Sequence, residues 1–139
     1  MAGRQGEGTA MIFFSKEWTE GRLSDELYDA ILDMYHKYTD YIVDVGGSNF
    51  DFVKKISLND YTLIEVIKAS DKITLKFQCG MDQKVLDFFG SPDLVGIEIG
   101  SDLLYFEVIR DEVTEMYIMN IIFSDRKNGS ITFKDIHVN

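Results

Sequence analysis

One cysteine, one proline, two histidines and few basic residues mark this 139-residue sequence by what it lacks. A lone Cys79 cannot close an internal disulfide, so the chain does not read as an oxidised secreted scaffold, and a reducing cytoplasm is the simpler home. Fourteen Lys and Arg face 24 Asp and Glu, for a net charge of −10. Without basic clusters to meet phosphate, neither nucleic acid nor an anionic membrane is an expected partner. No apolar run approaches the roughly 18 to 20 residues of a membrane-spanning helix, and the N-terminus lacks the apolar stretch of a signal peptide.

The catalytic repertoire is equally short. Only His36 and His137 could serve as histidine bases, and His137 sits two residues from the C-terminus, where fraying undermines precise geometry. Cys79 ends a strand pattern running from Ile73, which favours a buried structural thiol over a nucleophile. No glycine-rich loop follows a strand and opens a helix with Lys and Ser or Thr; Gly46 and Gly47 come after a helix, at the wrong dipole end for phosphate. Acid pairs such as Asp111 with Glu112 and Asp93 with Glu98 are of the type hydrolases use, yet their spacing assigns no chemistry. The expectation is a protein with no catalytic residues, no cofactor and no metal.

Against these absences, 45% hydrophobic and 13% aromatic residues are ample for one globular domain with a real core. Residues 1–10 are glycine-rich and aperiodic and read as a leader or disordered extension, leaving a single domain over residues 11–139. Met11 to Phe14 form a short apolar run, a first strand or an anchoring arm, with Trp18 as a core plug.

Ser24 begins the clearest element, with Asp25 and Glu26 in the first turn, where carboxylates suit the positive helix end. At 100° per residue, Leu27, Ile31, Met34, Tyr38, Tyr41 and Ile42 share one side, with Tyr35 at its margin, and the helix ends before Gly46 and Gly47. The opposite side carries Asp25, Asp29, Asp33, His36 and Asp40. That stripe is open to two main readings, a solvated outer face or a docking surface for a basic partner. A hard-cation site at Asp29, Asp33 and His36 would need a second element to complete it.

Beyond Gly47 the pattern becomes strand-like. Candidate strands are 50–56, 61–69, 72–79, 84–89, 94–99, 103–111, 116–124 and 130–138, with Pro92 in a turn over 90–93. Asn128 and Gly129 predict a tight hairpin between the last two. In the last strand, Ile131 and Phe133 share a phase with Ile136 and Val138 only if a residue is skipped near Lys134 or Asp135, which predicts a bulge. One long amphipathic helix and successive strands with short connections predict an α+β fold, with the helix closing the concave face of a curled, mainly antiparallel sheet.

The negative charge is concentrated. Residues 15–45 hold eight Asp or Glu against three Lys or Arg, and residues 85–116 hold eight against one. In the second block, period two puts Tyr105, Glu107, Ile109 and Asp111 on one side of a strand that leads into Glu112 and Glu115. This reads either as an ordinary charged sheet face or edge, or as a wet, aromatic, acidic binding face.

The opening Phe13, Phe14, Ser15, Lys16, Glu17, Trp18 resembles the YFTKEW start of a family of bacterial proteins, mostly from Bacillota, known as a domain of unknown function. Ile56 to Asp60 resembles its SLHD segment, and Ile73 to Gly80 its TLxIxxDC strand. The resemblance covers most of residues 11–139 and implies an α+β fold in a bacterial cytoplasm. The chain departs from the pattern at Asn59, where the family often has His, and in a shorter segment between the opening and the sheet.

Two functions follow. The first is a non-catalytic acidic binding protein, most concretely an immunity protein that neutralises a basic bacterial toxin, presenting Asp25, Asp29, Asp33 and Asp40, or Tyr105, Glu107, Asp111, Glu112 and Glu115, as partner-binding residues. The alternative is a small-molecule-binding or hydrolytic domain using a cleft between helix and sheet, lined by Tyr35, Tyr38, Trp18 and Cys79. A filled interior favours the first, and a deep pocket with convergent polar groups favours the second.

Overall fold

The structure, a computed structural model, describes residues 12–139; the extension expected over residues 1–10, together with Met11, lies outside the described residues. The chain folds as α1 (Lys16–Thr19), α2 (Asp25–Gly46), a 3-10 turn at Ser48–Phe50, α3 (Phe52–Lys55) and eight strands. Ser24 caps α2, its Oγ accepting the Leu27 N–H at 3.3 Å, which satisfies one of the donors a helix start leaves open. The helix stops where Gly47 takes φ of 84°, backbone that glycine adopts without strain.

The strand expected over 50–56 is helical instead. Phe50, Phe52 and Val53 are all buried in the main core, which adjacent residues of a half-buried strand cannot be because they point to opposite faces. The strands are β1 (Thr62–Lys68), β2 (Lys72–Cys79), β3 (Asp82–Phe89), β4 (Asp93–Val95), β5 (Leu103–Arg110), β6 (Tyr117–Phe123), β7 (Asn128–Phe133) and β8 (Asp135–Val138). They form two sheets, β1-β2-β3-β8 and β4-β7-β6-β5, antiparallel at every pairing among the described residues. A bridge between Thr62 and Asp102 links the two at one corner. The α+β class holds, while the single curled sheet is two sheets, face to face.

Two local expectations resolve differently. The phase skip near Lys134 is a change of sheet and not a bulge: Phe133 ends β7 in one sheet, Asp135 starts β8 in the other, and Lys134 N–H donates to Phe89 C=O at 2.9 Å between them. The β6–β7 turn falls before Asn128, over residues 124–127, with Arg126 at φ of 71°. Gly129 belongs to β7, where a Cβ would lie 2.8 Å from Ile97 Cγ1 and 2.9 Å from the Gly96 carbonyl oxygen. Its missing side chain allows a close approach there.

The main core lies between the sheets, built from Leu75, Phe77, Leu86 and Phe88 on one side and Phe106, Met119, Ile121, Ile131 and Phe133 on the other. Ile42, from the end of α2, joins it with Phe50, Phe52, Val53 and Leu58. The concave space is therefore filled by the helix end and the residues that follow it. The first half of α2 lies elsewhere, on the outer face of the second sheet, where Phe13, Phe14, Trp18 and Ile122 form a second cluster with Tyr28, Ile31, Tyr35 and Tyr105.

Candidate functional site

Glu107 is the residue around which the second cluster is built. It points from the middle of β5 to the outer face, as period two requires, but that face is covered and Glu107 is 0% exposed. Its Oε1 accepts the Phe13 N–H at 2.8 Å and the Phe14 N–H at 3.3 Å, while Oε2 accepts the Ile12 N–H at 2.7 Å and an N–H of the Asn120 amide at 3.3 Å. A buried carboxylate survives only when such donors replace its water. Glu107 thus clasps the arm at Ile12–Phe14, and cannot be an exposed partner-binding residue as its block of charge had implied.

Rings close over the clasp. Trp18 stacks on Tyr28 at 4.4 Å, Phe14 stacks on Tyr105 at 5.2 Å, and Tyr35 meets Phe14 edge to face at 4.6 Å. Tyr105, expected on a wet acidic face, is a wall of this cluster, and burial raises its phenol pKa. Tyr35 is pushed from 10.0 up to about 12, first by burial and then by the negative charge of Glu107.

The acids after β5 are occupied by the protein itself. Asp111 accepts the Val113 and Thr114 N–H groups at 2.9 and 3.4 Å, and these backbone bonds hold its carboxyl below the usual range. Glu112 accepts from the Tyr41 hydroxyl and pairs with Arg110, which also lies 3.9 Å from Glu115. Arg110 N–H in turn donates to the Tyr38 hydroxyl at 2.9 Å, so this group ties the end of β5 to α2. The Glu112 and Glu115 side chains are 60% and 75% exposed, but with Glu107 buried and Tyr105 half-buried the predicted residues of this block form no continuous acidic face.

The stripe on α2 fares differently. Asp25, Asp29, Asp33 and Asp40 are all exposed, as are Glu26, His36 and Asp44. Lys37 pairs with Asp33 at 3.1 Å and Lys54 pairs with Asp40. Among the described residues no lysine or arginine pairs with Asp25, Glu26 or Asp29. The candidate surface is the outer face of the first half of α2, and only one of the two acidic blocks supplies it. No group of His, Cys, Asp and Glu among the described residues is placed to hold a metal ion.

The apolar side of α2 is turned by about 60° from its expected direction, at 100° per residue. Tyr28, Ile31, Tyr35, Tyr38 and Ile42 face inward, drawn round by the arm, and Leu27 and Met34 are left 48% and 55% exposed.

The chain matches no protein-family model, and no curated protein is significantly similar to it.

The expected cleft is shallow and divided. Depressions of about 170 and 270 Å³ share Tyr35 and Val53. Tyr38 lines a separate apolar depression of about 370 Å³ with Phe13, Met34, Lys37 and Tyr41. Trp18 packs inside the second cluster. Cys79, expected buried, is exposed at the end of β2. Asn59 donates its amide N–H to the Leu104 carbonyl at 2.9 Å. The residues that sequence reasoning missed are Asn120 and the arm's backbone donors; only a polar residue inside an apolar strand, as Asn120 is in Tyr117–Phe123, signalled them.

Proposed function

We propose that this is a non-catalytic acidic binding protein whose partner is a cationic protein, and that its role is that of an immunity protein neutralising a basic bacterial toxin. The observation that carries the reading is the filled interior: Phe50, Phe77, Phe88 and Phe133 are each at most 1% exposed, which leaves recognition to the surface. On that surface Asp25, Glu26 and Asp29 offer carboxylates that no lysine or arginine among the described residues pairs with, able to stand in for the phosphates of a nuclease substrate and to speed encounter. A reducing bacterial cytoplasm suits the exposed thiol of Cys79, and no helix among the described residues is long and apolar enough to cross a membrane.

The test is binding to the purified product of the adjacent reading frame, at salt of about 0.05 and about 0.5 M, a range over which screening of exposed charges changes severalfold. The reading expects strong binding that weakens steeply with salt and is lost in an Asp25→Lys, Asp29→Lys variant that folds normally. Binding that ignores both salt and this variant would refute it.

The small-molecule reading rests on the paired depressions beside Tyr35, walled by Phe14, Tyr105, Val53 and Asn59. A ligand there would quench or shift Trp18 fluorescence through Tyr105, which lies 5.1 Å from it.

A further inference from the structure

The outer side of α2 is not uniformly polar. Leu27, Met34 and Val45 are 48%, 55% and 44% exposed, and with Tyr41 they recur every four or seven residues, so they lie along one line of the helix. Beside the middle of this line the largely apolar depression formed by Phe13, Met34, Tyr38 and Tyr41, with Lys37, which pairs with Asp33, also in its lining, opens, and Ile12, 60% exposed, extends it onto the arm. Scattered exposed apolar residues need no explanation, but a continuous row beside an apolar hollow marks an interaction surface.

Charge decides the occupant. α2 carries six carboxylates, Asp25, Glu26, Asp29, Asp33, Asp40 and Asp44, against Lys37 alone. Pairing α2 with the same helix of a second copy would bring two strongly negative elements together at contact distance, where like charges oppose association. A basic partner gains from the same field. The backbone donors and acceptors of α2 are spent inside the helix, so the surface offers side-chain knobs and a hollow rather than a strand edge. The complementary shape is another helix with apolar anchors three, four and seven residues apart.

We infer that α2 docks a basic amphipathic helix of the partner, with Leu27, Met34 and Tyr41 as the apolar contact line, the hollow beside Met34 and Tyr41 taking one anchoring side chain, and Glu26 and Asp44, which lie about 80° round the helix from that line, meeting flanking Lys or Arg. This rests on the proposed cationic partner and adds the row of apolar contacts to it.

The probe is a labelled synthetic peptide of about 18 residues, long enough at 1.5 Å per residue to follow the line from Leu27 to Tyr41. It is built of Lys, Leu and Ala with its leucines on one helical face. A second peptide of the same composition has its leucines spread around the helix. Fluorescence anisotropy at low salt should show the patterned peptide binding at least about tenfold more tightly than the scrambled one, with circular dichroism reporting helix formation on binding. The Leu27→Ser, Met34→Ser variant should lose that advantage while its affinity for the scrambled peptide stays the same. Equal binding of both peptides, or a patterned advantage that survives in this variant, would overturn the apolar docking line and leave the cationic-partner reading standing. Binding of neither peptide would overturn both. Dimerisation through α2, seen by sedimentation and lost in the same variant, would assign the line to a second copy and reject the inference.

Discussion

On the first half of α2, Asp25, Glu26 and Asp29 face solvent with no cation among the described residues against them, whereas on and after β5, Glu107, Asp111 and Glu112 turn their oxygens to groups of the protein itself. Both stretches carry eight acids in about thirty residues of sequence. The difference lies in what surrounds them. Hydrogen-bonded α2 offers its outer carboxylates no backbone donor of its interior, and among the described residues only Asp33 and Asp40 find a lysine, Lys37 and Lys54. β5 meets an arm whose N–H groups belong to no sheet, and its end leads into a turn whose N–H groups need an acceptor. Acidic side chains fold inward where backbone donors lack carbonyl partners.

That comparison predicts an order of effects. Glu107→Gln removes the charge and one acceptor oxygen from a buried site with four donors, and should cost about 3 kcal/mol in urea unfolding. It should do so selectively, releasing the arm before the main core. In the same variant the Tyr35 phenol should titrate below its native value of about 12 without returning to 10.0, because burial, the larger cause of its shift, remains. Phenolate absorbance during an alkaline titration measures this.

Tyr35 gives a second, smaller signal. Its folded pKa lies above the unfolded one, so its contribution is full below pH 10 and lost as pH rises to about 12. Tyr35→Phe should therefore flatten the fall in stability across that window, and an unchanged slope would place the cause elsewhere.

Asp111 works with the opposite sign. Its folded pKa is lowered from 3.8, so its contribution is present above that value and lost as pH falls through the folded pKa. Asp111→Ala should lower stability at neutral pH and make the acid limb below about pH 4 shallower. Smallest of all, Asp33→Asn removes an exposed pair with Lys37, which contributes little in water, and the unfolding midpoint should not move measurably.

What the sequence disclosed follows the same division. Ser24 and the acids beside it located the start of α2, and the alternation in Tyr117–Phe123 identified its core face, because caps and periodicity are local. The direction of α2 was misjudged since Phe13, Phe14 and Trp18 pull Tyr28 and Tyr35 inward, and no window of α2 contains that arm. Glu107 was assigned the correct side of β5 and the wrong environment for the same reason: its three backbone donors lie more than ninety residues away. Asn128–Gly129 carried a hairpin signal, yet Ile97 and Gly96, distant in sequence, required the glycine within β7. The candidate surface was half legible: four aspartates of the helix stripe stand outside, while in the second block Glu107 is buried and the exposed Glu112 is held by Arg110 and Tyr41.

The division of acids is tested most directly by measuring stability and binding of the patterned cationic peptide side by side in two variants, Glu107→Gln and the double variant Glu26→Gln, Asp44→Asn. The account predicts a crossed result under conditions where both variants are folded. Glu107→Gln loses stability and its arm amides at Phe13 and Phe14 exchange faster than those of Phe77 and Met119, while the double variant keeps its unfolding midpoint and loses peptide affinity. If the double variant instead binds as tightly as the native chain, or if Glu107→Gln leaves stability and arm exchange untouched, the two acidic stretches do not have the separate roles assigned to them.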